Sequence, residues 1–373
     1  MSVPSTIAEA VHLPNPSIDR WRNEGKKVLG YFCSYIPDEI IYAANMLPVR
    51  MRAEGCADTP TADAYMSTTT CSFTRCVLEL ATRKEYQFLD GVVAYNSCDQ
   101  VRRLYDNLKF KAPFPYQYFL SIPATLTDVT LEWYKHELSK FKKNLEDNFA
   151  TAVTNDDLKR AIEIYNKSRD LLRELYELRK RERPPVSGTE VMNVLLASVT
   201  LPREEFNGLL ASLLEVCRGR EAESDYTARL MLVGSHLDDP EFVEMIEELG
   251  GLVVTDSLCF GTRYFSGLVD VNSAPLDALA ERYFSKVSCP RMTGGHPERA
   301  KFVMDQVKEF NVDGVIIQRM KFCPTWWGEA FMLREDLKKL GVPCLELEKE
   351  YVLSGVGAMK TRIQAFLETL EER

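Results

Sequence analysis

The sequence predicts an α/β protein with two Rossmann-like or flavodoxin-like parallel-sheet domains and a helical segment between them. Three observations carry that expectation. Short β-branched runs alternate with helix-length amphipathic segments at both ends of the chain, the rhythm of a parallel sheet. The stretch DGVVAYNSCD at 90–99 is echoed by DGVIIQRMKFC at 313–323, each with Asp-Gly, a buried-strand pattern and a cysteine just beyond it. A chain of 373 residues exceeds a typical single core and suits two α/β domains. The expected division is an N-terminal domain over 1–124, a helical bridge over 125–224 and a C-terminal domain over 225–373.

The N-terminal elements follow in order. KVLGYFCSYI at 27–36 reads as a strand, and Pro37 opens a helix, DEIIYAANML, with Asp38 and Glu39 in its first turn. LPVRMRAEG is a second strand carrying Arg50 and Arg52. Thr70 is a plausible N-cap for a helix from Cys71 to about Lys84, a position that lowers a thiol's pKa. The strand ending at Cys98, a helix through Leu108 and the strand FPYQYFLSI complete the half.

From Thr125 to about Cys217 the pattern is helical. TNDDLKRAIEIYNKSRDLLRELYELRKR has an apolar stripe and a T-x-x-D box, and its alternating charges read as a solvated face. Pro184 and Pro185 break the run, and two more helices follow. The strand–helix rhythm resumes at ARLMLVGS and continues through LVVTDSL, helices from Pro275 and His296, DGVIIQRM, a helix through Leu340, VPCLELEKE and a last helix from Gly357.

Composition excludes several classes of function. A net charge of −9 and a pI near 5.3 argue against a nucleic-acid partner, which needs a basic patch. No run of eighteen apolar residues occurs and the N-terminus lacks a signal pattern, so no membrane association and a cytoplasmic location are expected. Ten cysteines in a chain of this length do not form the disulfide framework of a short secreted domain. There is no GxGxxG after a strand and no GxxxxGK[ST], so any ATP hydrolysis belongs to another chain.

Ligands of open α/β sheets collect outside the carboxyl ends of the strands. That rule selects Cys98 and Cys323, which can face one another across a cleft between the halves, and Cys71 at a helix start joins them. Three thiolates can hold an iron-sulfur cubane with one open iron. Without a CxxC pair or ferredoxin spacing, the three are equally readable as core filler. Ser34, Tyr35 and Glu39 sit at the first strand–helix junction and can hydrogen-bond a substrate carbonyl or exchange a proton with it, though Glu39 is also a favourable first-turn acid. His236 can be a ligand or an acid, or simply a capping side chain, and His296 most simply begins a helix. Arg50, Arg52, Arg102 and Arg103 can meet phosphates of a nucleotide-like ligand or serve as ordinary surface charges. Trp326 and Trp327 can shield a cluster or pack against the neighbouring domain.

GYFCSYIPDEIIYAANMLPVR, TTTCSFTRCVLEL, DGVVAYNSCDQVRRLYD, IEIYNKSRDL, DGVIIQRMKFC and TRIQAFLE, in that order and spacing, resemble the 2-hydroxyacyl-CoA dehydratase and benzoyl-CoA reductase family, specifically its smaller catalytic subunits. The likeness runs from about residue 25 to the C-terminus. It implies a 4Fe-4S cluster on Cys71, Cys98 and Cys323, a related larger catalytic subunit as partner, and an acyl-CoA substrate. It also implies a separate ATP-hydrolysing iron-sulfur activator, with ATP used only there. The expected function is a subunit of an ATP-dependent acyl-CoA reductase, most like benzoyl-CoA reductase, which reduces the ring through a ketyl-type radical. A 2-hydroxyacyl-CoA dehydratase subunit is the alternative, and a non-catalytic or double-cubane electron-transfer protein the second. Pro324 stands where many relatives have Asp, and Cys56 and Cys76 are additional thiols that leave the ligand set open.

Overall fold

A computed structural model describes residues 5–220, 225–352 and 355–372. Its first four strands are β1 (Lys27–Tyr31), β2 (Met46–Arg50), β3 (Gly91–Tyr95) and β4 (Tyr116–Leu120), and its last four are β5 (Ala228–Gly234), β6 (Gly251–Ser257), β7 (Gly314–Met320) and β8 (Cys344–Lys349). They form two all-parallel sheets of the same permutation, β2-β1-β3-β4 and β6-β5-β7-β8. The chain is thus α/β with two parallel-sheet units. In each sheet the order reverses direction between the first and third strands, where flavodoxin-like sheets bind ligands.

Both faces of each sheet are covered over the inner strands, which is why β1, β3, β5 and β7 read as largely apolar runs. In the first sheet Val28 and Val92 face the helices Ser72–Thr82 and Asp99–Lys111, while Leu29 and Val93 face Asp38–Ala43 and Asp128–Phe149. In the second, Leu230 and Ile316 pack on Gly188–Ala197, Pro240–Glu248 and Val356–Glu371. Met231 and Ile317 pack on His296–Glu309 and Pro324–Lys339. β5 and β7 run unusually close at the site end. A Cβ on Gly234 would lie 1.9 Å from the Gln318 carbonyl oxygen, so no side chain fits there.

The helical stretch contains Asp128–Phe149, Asn155–Leu178, Gly188–Ala197 and Arg203–Gly219. Thr154 and Asp157 make the capping box read from the sequence, and Thr127 and Ser187 cap two neighbours the same way. The halves also interlock directly: Leu279 and Tyr283 of the helix Pro275–Ser285 lie in the core of the first sheet. The expected boundary at 224 falls outside the described residues.

Candidate active site

Each of the three selected cysteines occupies the N-cap of a helix: Cys71 before Ser72–Thr82, Cys98 before Asp99–Lys111 and Cys323 before Pro324–Lys339. Cys71 was expected in the first turn of its helix and stands one residue earlier. Three helix N-termini therefore converge on one cleft, each with unsatisfied N–H groups and a partial positive charge. Phe322, just before Cys323, has φ +62°, a conformation rarely adopted by a bulky residue. That turn brings the chain from β7 into the helix with Cys323 at the cleft.

The cleft lies between the carboxyl ends of the two sheets and is lined by Cys71, Cys98 and Cys323, with Ser34, Tyr35, Tyr95, His236 and Trp326 among the other contributors. Its cavity volume is about 110 Å³, several times what one water needs. Three further cysteines line it: Cys33 after β1, Cys259 after β6, and Cys289. The rule that chose Cys98 and Cys323, a cysteine just beyond a strand, also fits Cys33 and Cys259, and could have found them.

The charge of the walls is one-sided. Arg50, Arg263 and Arg291 line the cleft, all buried, and among the described residues no Asp or Glu does. Arg50 donates to the Cys259 carbonyl and thiol and lies over the Phe260 ring, while Arg263 donates to the Gly234 carbonyl. Even so, Nε of Arg50, Nε and Nη1 of Arg263 and Nε of Arg291 have no hydrogen-bond partner among the described residues. Buried donors without acceptors are costly and point to an anion. SLCFGTR and SCPR carried that signal as cysteine–arginine pairs.

Burial pushes the Cys71 thiol well up, and neighbouring Cys323 and Cys98 add to it. Burial raises the Cys98 thiol as well. The lowered pKa expected of Cys71 is overturned: the helix N–H groups favour the thiolate, and desolvation outweighs them. A bound metal reverses the balance, because a coordinating thiol is deprotonated outright.

Among the described residues no three His, Cys, Asp or Glu side chains gather as a single metal ion would require. A cubane takes its thiolates on different irons, so its ligands stand wider apart than those of one ion. Three N-cap thiols with mutual electrostatic influence and three buried, partly unpaired arginines fit such an anionic group.

Other expectations are redistributed. Ser34 lines the cleft, and its carbonyl accepts from the buried Lys286 ammonium. Glu39 does not reach the cleft. It is buried against Arg169 and accepts from Tyr283 Oη at 2.7 Å. Burial raises its pKa, but Arg169 and Arg282 more than offset this, and the net shift is downward. Arg50 and Arg52 are buried rather than exposed, whereas Arg102 and Arg103 face solvent on their helix. Trp326 lines the cleft, but Trp327 is 69% exposed and shields nothing there. Cys56 and Cys76 neighbour each other outside the cleft walls. His296 starts its helix and pairs with Glu329 and Asp336.

The sequence profile of the family described as 2-hydroxyglutaryl-CoA dehydratase, D-component, matches residues 33–370. The chain belongs to this family. A benzoyl-CoA reductase subunit of Thauera aromatica is 28% identical over 88% of this chain and 87% of its own. The (R)-phenyllactyl-CoA dehydratase beta subunit of Clostridium sporogenes is 24% identical over 93% and 92%. The (R)-2-hydroxyglutaryl-CoA dehydratase beta subunit of Acidaminococcus fermentans is 23% identical over 96% of each. The matched range takes in seven of the eight strands, all but β1, and all six cleft cysteines. No helix among the described residues is long and apolar enough to cross a membrane.

Proposed function

We propose that this chain is the cluster-bearing smaller subunit of an ATP-dependent acyl-CoA reductase, most like benzoyl-CoA reductase, acting in the cytoplasm beside a related larger subunit. The observation that carries the proposal is the convergence of Cys71, Cys98 and Cys323, each capping a helix, on a cleft with three buried arginines and no carboxylate. These thiols would hold a 4Fe-4S cluster, which supplies one-electron reduction at low potential when bound. A separate ATP-hydrolysing iron-sulfur activator would provide the electrons.

The chain's own residues account for the surroundings. Arg50, Arg263 and Arg291 balance negative charge in a water-poor space, where Coulomb attraction is strong. Trp326, beneath Arg263, closes one side against water. The Ser34 hydroxyl belongs to a cleft-lining residue and can donate to a thioester carbonyl. The identity of 28% to the reductase relative, against 23–24% to the dehydratase relatives, supports the reductase over the dehydratase. With this chain, its larger partner, the activator, ATP and a dye reductant, benzoyl-CoA should oxidise dye in step with product. Turnover without net dye oxidation would establish dehydration instead.

A second reading rests on Cys33, Cys259 and Cys289. Cys289 is influenced by both other thiols, so the cleft holds a second group of three. A double-cubane would use these cysteines rather than Cys56 and Cys76. About eight irons per chain, instead of about four, would select it.

A further inference from the structure

A second cavity lies beside the cleft, and among the described residues His236 is the one that lines both. The cleft side is thiol-rich and has no carboxylate. The other side is polar, with Glu54, Asp239, Glu241 and Lys349 among its walls. The His236 ring is held between Phe73, stacked at 3.9 Å between centroids, and Phe260, edge-on at 4.9 Å. Nε2 lies 3.2 Å from Asp238 Oδ1, close but off the line of a good hydrogen bond, and counts as a buried nitrogen without a partner. Asp238 Oδ2 accepts from Tyr351 Oη at 2.7 Å, and Tyr351 also borders the second cavity. No hydrogen bond or ion pair among the described residues joins His236 to a thiol.

We propose that His236 carries protons from the second cavity into the thiol-lined cleft, with Asp238 and Tyr351 as positioning residues. The inference rests on the functional reading above and adds the proton route it needs. Two-electron reduction of an aromatic ring consumes two protons; in a dehydration the departing hydroxyl takes one proton as its C–O bond breaks, and a substrate C–H gives one back as the double bond forms. In each transfer an imidazolium N–H bond breaks, the nitrogen keeps the electron pair, and a C–H or O–H bond forms on the substrate. The electrons come from the low-potential donor, and water in the second cavity restores the proton. Among the described side chains lining the cleft other than its six thiols, arginine does not release its proton and burial holds the Tyr35 and Tyr95 hydroxyls far above neutrality, which leaves imidazole as the group whose ordinary value lies near pH 7, below that of a thiol. Asp238 faces the ring as an anion, Arg50 and Lys349 face it as cations, and Arg52 lies beyond Asp238. Burial and these cations favour the neutral ring, while Asp238 opposes them.

The protein has four histidines, so ¹⁵N-histidine labelling of the full chain isolates His236 once the H236Q spectrum assigns it. The proposal expects the His236 ring to titrate with solvent, below the ordinary histidine value near 6.5, and to titrate lower still in Asp238→Asn. A ring that stays in one protonation state between pH 4 and 8 would overturn it. In the assembled enzyme with benzoyl-CoA, His236→Gln should lower kcat roughly 100-fold at unchanged KM and iron content, with partial rescue by added imidazole. His236→Phe keeps the ring stack and should behave alike. Wild-type kcat in a folded, iron-replete variant would also overturn the proposal. If the wild-type enzyme fails to turn over any acyl-CoA, the functional reading fails, and the titration alone then decides the proton route.

Discussion

The Tyr283 hydroxyl lies 2.7 Å from Glu39 Oε2, joining residues 244 positions apart across the two halves of the chain. Around this contact Asp38 accepts from Tyr264 and lies 3.3 Å from Arg203, and Glu39 pairs with Arg169. The network stands behind the cleft and ties both halves to the helical bridge. Glu39→Gln would leave Arg169 buried without its anion, a loss of roughly 3–5 kcal/mol. Denaturant unfolding should show that loss, while iron content per folded chain stays at the wild-type value. A fully stable Glu39→Gln with abolished turnover would restore the catalytic role first expected of this residue.

Cys71→Ser, Cys98→Ser and Cys323→Ser should each remove the iron bound by the anaerobically prepared chain, about four atoms in the single-cubane case. Cys56→Ser and Cys76→Ser should leave it in place, because neither thiol lines the cleft. Iron and acid-labile sulfide determination checks both halves of this prediction.

Arg263→Gln removes a buried cation from the cleft wall. One charge a few ångströms away at an effective dielectric near 20 amounts to roughly 2–4 kcal/mol, or on the order of 100 mV for a one-electron couple. The midpoint potential of the bound cluster should fall by that order in an EPR redox titration. An unchanged potential would show that Arg263 has no part in balancing charge there.

Asp238 gives an acid-side dependence. Burial raises its pKa, but His236, Arg52 and the Tyr351 hydroxyl more than offset this and hold it well below the usual carboxylate range. A depressed folded pKa contributes stability that is full above the unfolded value, about 3.9, and is lost as pH falls further. Wild type should therefore be more stable than Asp238→Asn at pH 6–7, with the difference shrinking below about pH 4. Unfolding curves at several pH values test the sign.

Gly234→Ala should loosen the junction of β5 and β7, since its Cβ would meet the Gln318 carbonyl oxygen at 1.9 Å. Forced separation of two strands in a packed core costs about 1–3 kcal/mol, which a thermal melt would register.

The inner strands were legible because both sheet faces are covered there, so β1, β3, β5 and β7 advertise themselves as largely apolar runs, while the half-exposed edge strands β4 and β8 show it less. The strand-end rule likewise brought out Cys98 and Cys323. Packing between distant segments was not legible. Arg50 reads as a surface charge on β2 until Phe260, 210 positions later, is laid beneath its guanidinium. Glu39 reads as a helix-capping acid or a cleft acid until Arg169 and Tyr283 claim it. Such partners come from other elements, and periodicity along one element holds no record of them.

On the proposed ligand set, the placement of the cysteines would give a bound cluster a mechanical office. Cys71 and Cys98 belong to the first sheet's half and Cys323 to the second's, so whatever the three hold is riveted across the seam between them. Metallation by all three and closure of the seam would then be one event. The iron-free chain should breathe at that seam, yielding to protease there sooner than the loaded one, and oxygen damage to the rivet should be felt as a change of shape as much as a loss of chemistry.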